Sequence, residues 1–201
     1  MNNKVIALCN LMIVSMILSG CGPKRIAYNQ RNFVIETSRN RPQQKISKDV
    51  ILNVQNFSID VAFSSKSLVY RKGQSEYETD FYNQFLIRPD DMITEKTRGW
   101  LSESGLFKLV LEPGSYTEAT HMLEGNIIAL YGDFSEDSSP KATAKIRFFL
   151  VKLSDKSVVF TNTYEAVSEF KDRTAESLIE AFGVCLTNIL SDLEKDLQEQ
   201  L

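Results

Sequence analysis

The chain has 201 residues, of which 43% are hydrophobic and 24% are charged, a composition typical of a folded domain rather than a disordered chain. Its net charge of −3 hides an uneven distribution, because residues 22–48 sum to +6 and residues 49–201 sum to −10. An acidic domain argues against nucleic acid as a partner. The three cysteines lack Cys-x-x-Cys spacing and there is one histidine, so we expect no zinc or iron–sulfur site.

The N-terminus has the three parts of a secretory signal. Lys4 supplies the positive charge, residues 5–18 form an apolar run, and Ser19 and Gly20 are the small residues that a cleavage site needs. The run is shorter than the ~20 residues of a membrane-spanning helix. We therefore predict a signal peptide over residues 1–20. An ordinary signal does not explain why a cysteine follows it directly.

The sequence Leu18-Ser19-Gly20-Cys21 resembles the bacterial lipobox. The resemblance implies cleavage between Gly20 and Cys21, a diacylglyceryl thioether on the Cys21 sulfur and an N-acyl group on the new N-terminus. One acyl chain binds a bilayer only marginally, whereas two or more on one residue make release negligible. Gly22, where inner-membrane lipoproteins of the enteric type carry Asp, implies the periplasmic face of the outer membrane. A chance cysteine after an ordinary signal is the alternative.

A basic tether is predicted to join the anchor to the domain. Residues 21–48 form this lipidated N-terminus and tether, which could include a short strand over 33–37, and residues 49–201 form the domain. Cations beside a lipid anchor can lie on anionic head groups, each adding roughly 1 kcal/mol near a charged surface. A merely solvated linker is the alternative interpretation.

Alternation of apolar and polar residues predicts most of the domain's strands. These strands cover 49–59, 67–71, 76–87, 106–112, 122–134, 141–153 and 158–170. We expect a bend near Asn56, a hairpin around 72–75 and an antiparallel meander of the last three strands. Gly125 and Gly132 are candidate bulges within the first strand of that meander.

Two helices complete the predicted domain. Pro89-Asp90-Asp91 indicates the start of the first, and Gly105 its C-terminal end. Thr174 is the candidate N-cap of the second. Its apolar stripe consists of Leu178, Phe182, Cys185, Ile189, Leu193 and Leu197. The predicted fold class is α+β, with a largely antiparallel sheet and two principal helices packed on one face.

The residues offer little for catalysis. His121 stands alone at a predicted strand start, Asp90-Asp91 is explained by helix capping, and there is no nucleophile elbow, phosphate-binding loop or EF-hand pattern. We therefore expect no enzymatic activity, no catalytic residue, no metal, and no cofactor other than the covalent lipid on Cys21.

Aromatic residues are concentrated between positions 70 and 100 and could line an apolar groove for a lipid tail or a partner's segment. The candidate groove or partner surface consists of Tyr70, Arg71, Tyr82 and Trp100. Tyr70 and Arg71 together are a candidate contact for a phosphate head group. Burial of the aromatic side chains in an ordinary core is the competing interpretation.

Three stretches carry a resemblance to a known family. The segment SLVYRKGQSEYETDFYNQFLIRPDDMITEKTRGWLSESGLF at 67–107 resembles the ABC-type transport auxiliary lipoprotein family. LEGNIIALYGDF at 123–134 and AKIRFFLV at 144–151 fit the later strands of that family, and the C-terminal helix fits as well. The resemblance extends over roughly residues 33–197 and is a pattern of many weak positions.

The resemblance implies a role in lipid transport. Members resemble the lipoprotein partners of MCE-type transporters, in which an ABC permease and ATPase work with a periplasmic MCE-domain protein to move lipids between the two membranes. It implies a non-enzymatic component that docks the MCE protein at the outer membrane, with a homo-oligomer as a further option. An outer-membrane assembly or structural lipoprotein, serving β-barrel or lipopolysaccharide insertion, is the alternative, and a periplasmic lipid-modifying enzyme is a third hypothesis.

Overall fold

The computed structural model describes residues 29–43, 48–135 and 139–201. The predicted signal peptide, with its lipobox-like sequence, and Cys21 lie outside these residues. The strands are β1 (Arg31–Phe33), β2 (Lys48–Val54), β3 (Ser58–Ile59), β4 (Ser67–Arg71), β5 (Tyr77–Phe85), β6 (Phe107–Val110), β7 (His121–Asp133), β8 (Lys141–Lys152) and β9 (Ser157–Glu169). The helices are α1 (Pro89–Ser104) and α2 (Ala175–Gln200), with a short 3₁₀ helix at Val61–Phe63. The predicted α+β class is confirmed.

Strand β7 organises the sheet. Along one edge it pairs antiparallel with β8, which pairs antiparallel with β9, so the predicted meander is confirmed. Along its other edge it runs parallel to three strands in turn, with Leu52 opposite His121 in β2, Ser58 opposite Asn126 in β3, and Tyr70 opposite Gly132 in β4. The sheet therefore forks at β7.

Each branch of the fork gains further strands. One branch continues from β2 to β6 in parallel. The other continues from β4 through the predicted antiparallel hairpin to β5, and then in parallel to β1 at the edge. The sheet is thus mixed, although its longest pairings are antiparallel. The parallel pairings join segments that lie far apart in the chain.

Both helices begin where their sequences predict, and α1 also ends where its sequence predicts. α1 has Pro89 in its first turn and ends at Gly105, whose φ of 71° lies in the left-handed region that favours glycine. At the start of α2, the Thr174 hydroxyl accepts a hydrogen bond from the Ser177 backbone N–H at 3.2 Å. The predicted stripe of α2 is buried against the sheet. Within it, burial raises the pKa of the Cys185 thiol to about 11.

The predicted bulges at Gly125 and Gly132 are wrong. The irregularity in the β7–β8 register lies between Ile127 and Ala129. Gly125 instead leaves room for the Phe57 ring, because a Cβ atom there would lie 2.5 Å from the nearest ring carbon. Gly132 is likewise covered, because a Cβ atom there would lie 3.0 Å from a methyl carbon of Leu178. Both glycines serve close packing over the strand.

The chain that follows β1 packs against the two helices. We call residues 34–42 the strap. Its Ile35 side chain is buried, and the Ile35 N–H donates to the Met92 sulfur in α1 at 3.4 Å. Glu36 forms an ion pair with Lys96 of α1 at 2.5 Å. On the other side, the Ser38 N–H donates to the Thr187 hydroxyl of α2 at 3.3 Å.

The strap and β1 belong to the segment that the sequence describes as a tether. The strand in this segment is Arg31–Phe33 and overlaps the suggested 33–37 only at Phe33. The residues after it are extended chain held by side-chain contacts with both helices. The folded body therefore includes the described residues that precede β2 as well as those that follow it.

Gly183 of α2 tests how tightly the strap packs. A Cβ at this position would lie 2.5 Å from the Glu36 carbonyl oxygen of the strap. We expect Gly183→Ala to lower the free energy of unfolding, because overpacking costs about 1–3 kcal/mol and outweighs the gain of up to ~1 kcal/mol in helix propensity. Urea unfolding of the full chain measures the change.

Gly99→Ala in α1 is the matched control. Beyond the neighbouring backbone of its own helix, no atom lies within 4 Å of a Cβ built on Gly99, so only the helix propensity changes and this variant should be more stable than the wild type. Equal stabilisation by both substitutions would show that the strap does not rest on Gly183 in solution.

Candidate functional site

The structure does not bring Tyr70, Arg71, Tyr82 and Trp100 together. Tyr70 and Arg71 are consecutive in β4, so their side chains lie on opposite faces of the sheet. Trp100 is buried in α1, and Tyr82 is exposed on β5. Each of the four therefore has its own surroundings, and they do not form one groove.

Trp100 belongs to a buried polar cluster. Its indole Nε1 donates a hydrogen bond to Glu194 Oε2 of α2 at 2.8 Å. Arg39 of the strap donates to both oxygens of the same carboxylate, from Nη2 to Oε1 at 2.8 Å and from Nε to Oε2 at 3.1 Å. The side chains of Arg39 and Glu194 are only 5% and 1% exposed. One carboxylate thus joins the strap, α1 and α2.

The Arg39 guanidinium is hydrogen-bonded beyond its carboxylate partner. Nη1 donates to the carbonyl of Arg41 at 2.8 Å, and Nη2 donates to the carbonyl of Pro42 at 3.3 Å. The hydrogen bond to Glu194 raises the pKa of Arg39, so the guanidinium is charged at neutral pH. A bidentate pair of this kind is geometrically specific as well as strong.

On the opposite face of the sheet, Arg71 has an internal partner. It forms an ion pair with Asp133, and its guanidinium carbon lies 5.1 Å from the centroid of the Tyr131 ring. Burial alone would raise the pKa of Asp133, but hydrogen bonds from Arg71 and Ser135 lower it to about 2. The Arg71 guanidinium, which the sequence suggests as a contact for a phosphate head group, is thus already paired with the Asp133 carboxylate.

Tyr70 belongs to a group of hydrogen bonds around Asp80, at an irregular point of β5; we call this group the Asp80 network. Its hydroxyl donates to Asp80 Oδ2 at 2.7 Å, and the Asn83 side chain donates to the same oxygen at 2.7 Å. Asp80 Oδ1 accepts from the backbone N–H groups of Tyr82 and Asn83 at 2.8 and 3.0 Å. Burial alone would raise the pKa of Asp80, but these hydrogen bonds outweigh burial and lower it.

The Asp80 network explains why the side chains of Phe81 and Tyr82 face the solvent. The β4–β5 register runs from Val69 opposite Thr79 to Ser67 opposite Gln84, so β5 has extra residues at this point. Asp80 ties the extra turn together by accepting from the backbone on its far side. The bulge turns two neighbouring aromatic side chains outward.

A cavity of about 720 Å³ lies beside the Asp80 network, at the start of α2. Its lining consists of Arg31, Tyr70, Lys72, Asp80, Asn83, Phe134, Arg173, Thr174, Ala175 and Glu176. Arg31 forms an ion pair with Glu176 and donates to Asn83 Oδ1 at 2.9 Å. The Lys72 ammonium lies 5.2 Å from the centroid of the Phe134 ring, and the Arg173 guanidinium carbon lies 5.7 Å from it. The cavity combines cations with an aromatic wall.

A second, more apolar groove of about 510 Å³ runs between the strap and α2. Val34 of the strap and Val184 of α2 are exposed along it, and Ile179 forms part of its floor.

His121 lies elsewhere, at the start of β7, where its Nδ1 is 3.0 Å from the Thr120 hydroxyl. Burial and the nearby Lys152 lower the pKa of His121.

Sequence reasoning missed Glu194 and Arg39. Glu194 occupies a helical position beside Leu193 and four residues after Leu190, which is inside the apolar stripe of α2. A lone carboxylate on such a stripe is a signal for a buried partner. The identity of that partner has no local signal, because Arg39 lies 155 positions away.

Known structures share the fold of this chain. The protein XCC0632 from Xanthomonas campestris, of family DUF330, is 18% identical, with a TM-score of 0.70 over 85% of this chain and 93% of that protein. An uncharacterized protein is 9% identical, with a TM-score of 0.63 over 82% and 99% of the two chains. The hypothetical protein CT253 from Chlamydia trachomatis is 12% identical, with a TM-score of 0.51 over 76% and 98%. At these identities the likeness shows the fold alone.

Comparisons of sequence add no relative. No family model matches the chain, and no curated protein matches it. Within residues 29–43, 48–135 and 139–201, no helix is both long and apolar enough to cross a membrane.

The buried cluster predicts a large effect for a small chemical change. Glu194→Gln keeps the size of the side chain but leaves the Arg39 charge buried without its carboxylate. We expect a loss of about 3–5 kcal/mol in the free energy of unfolding at neutral pH, because breaking a buried ion pair strands the other charge. Urea unfolding of the full chain measures it.

The same substitution at Glu180, an exposed position of α2, provides the control and should change the stability by no more than about 0.5 kcal/mol. If the two variants unfold at the same urea concentration, Arg39 and Glu194 do not form a buried pair.

Proposed function

We propose that this chain is a lipid-anchored, non-enzymatic accessory component of an ABC/MCE-type transporter that moves lipids between the inner and outer membranes. In this role it docks the periplasmic MCE component at the outer membrane. The observation that carries the proposal is the lipobox-like sequence ending at Cys21, placed just ahead of a domain whose residues 67–134 resemble the auxiliary lipoproteins. The fold shared with the Xanthomonas DUF330 protein supports an independent globular domain behind the anchor.

The strap supports a docking role over that of a loosely tethered domain. Because β1 and the strap pack on the domain, the chain is already part of the folded body at Gln30. Gln30 lies nine positions after Cys21 in the sequence, and a fully extended chain covers at most about 3.5 Å per residue. The domain is therefore held within about 30 Å of its anchor. Such a short connection keeps the domain close to the membrane surface, where a docking component must lie.

The anchor has a direct chemical test. The protein extracted from bacterial membranes should begin at Cys21 and carry the mass of a diacylglyceryl group, with or without an N-acyl chain. Cys21→Ser should remain unprocessed or leave the membrane fraction, because the thioether cannot form. Cys185→Ser is the matched control and should still be anchored, since its thiol is buried in α2. An unmodified N-terminus on wild-type protein would refute the anchor.

The transport role requires a specific partner. In bacteria that express the chain natively, chemical crosslinking followed by isolation of the wild-type protein should recover an MCE-domain protein together with its permease or ATPase. The unanchored Cys21→Ser variant should recover less, because it is not confined to the membrane surface. Recovery of a β-barrel protein or a lipopolysaccharide-insertion component instead would favour an outer-membrane assembly lipoprotein and contradict the transport role.

A further inference from the structure

Two neighbouring aromatic side chains are exposed at one end of the domain. Phe81 is 58% exposed and Tyr82 is 52% exposed, although both lie in a strand. Their rings are in edge-to-face contact, with centroids 5.4 Å apart. The bulge tied by Asp80 fixes them in this outward position. Contiguous exposed apolar groups mark interaction sites more often than single exposed hydrophobic residues do, so this pair is a candidate contact surface.

The chain from the anchor joins the domain at this pair. The Gln30 side chain donates to the backbone carbonyl of Phe81 at 3.3 Å, and β1 begins at the next residue. Since at most about 30 Å of extended chain separates Gln30 from Cys21, the aromatic pair lies close along the chain to the proposed lipid anchor. The bilayer that holds the acyl chains is thus within reach of these rings.

The charges around the pair also favour a membrane surface. Arg31, Lys72 and Arg173 lie along the neighbouring cavity. Arg31 is paired with Glu176, and the Lys72 ammonium is 3.5 Å from Glu78. With Arg173 and Asp80 included, three cations face three carboxylates at this end, which is therefore close to neutral, whereas residues 49–201 as a whole carry −10. Because anionic lipids repel an acidic surface, a neutral end meets less repulsion than the average acidic surface of the domain.

We propose that the aromatic end, formed by Arg31, Lys72, Phe81, Tyr82 and Arg173, rests on the anionic bilayer that holds the anchor. The Phe81 and Tyr82 rings occupy the head-group layer, where amphipathic and aromatic side chains are stable. Arg31, Lys72 and Arg173 offset the carboxylates beside them, so this end does not present excess negative charge to the lipid phosphates. This inference rests on the proposed lipid anchor, and it adds a fixed orientation of the domain that the anchor alone does not provide.

Tyr116 offers a matched comparison at the other end of the molecule. Tyr116 is fully exposed in the loop that precedes the start of β7. Tyr70 of β4, by contrast, is paired with Gly132, near the C-terminal end of β7. The 13 residues of β7 span about 40 Å. In the proposed orientation Tyr116 therefore points away from the bilayer.

Tryptophan quenching in the lipidated full chain tests the orientation. Phe81→Trp and Tyr116→Trp are each reconstituted in vesicles of phosphatidylethanolamine and phosphatidylglycerol with brominated acyl chains. The native Trp100 is buried and common to both variants. We expect bromolipid to remove much of the fluorescence from position 81 and none from position 116. In the Phe81→Trp protein, replacing Tyr82 by Ser should weaken the quenching.

Flotation of the same vesicles separates this inference from the proposed function. Protein that floats with the vesicles but shows no quenching at position 81, or equal quenching at 81 and 116, overturns the orientation and leaves the anchor intact. Wild-type protein purified from membranes that fails to float overturns the anchor, and the orientation falls with it.

Discussion

The buried carboxylate of Glu194 is the constraint on which the arrangement of the helical layer depends. A charge that is removed from water must be paired, and breaking a buried pair is costly. Arg39 provides the charge and Trp100 a further donor, so the strap, α1 and α2 meet at one side chain. The strap cannot leave the helices without stranding Glu194. The proposed anchor is therefore joined to a rigid body by a short connection rather than by a long free tether.

Much of the fold is predictable because its signals are local. Alternation along β8 and the 3.6-residue stripe of α2 each describe one element, and both are confirmed. The parallel pairings around β7 bring together segments such as β2 and β7, and no pattern within either strand specifies the partner. The role of Gly125 is missed for the same reason, because the Phe57 ring that covers it comes from a distant segment.

The candidate site is harder to predict because net charge does not reveal a partner. The basic segment 22–48 suggests contact with anionic head groups, yet Arg31 and Arg39 form ion pairs with Glu176 and Glu194 of the protein itself. Strand alternation could have separated Tyr70 from Arg71, since consecutive residues of a strand face opposite sides. The exposure of Phe81 and Tyr82 depends on a bulge that only the three-dimensional pairing reveals.

Limited proteolysis with trypsin tests the docked strap most directly. Trypsin must take an arginine side chain into its specificity pocket, and the Arg39 side chain is 5% exposed and held by Glu194. We predict that the Arg39–Asn40 bond of the folded, vesicle-bound protein is cut only as fast as the protein unfolds, and that it is cut rapidly in urea. Rapid cleavage of this bond in the folded protein, with the rest of the domain intact, would contradict a strap docked through Glu194.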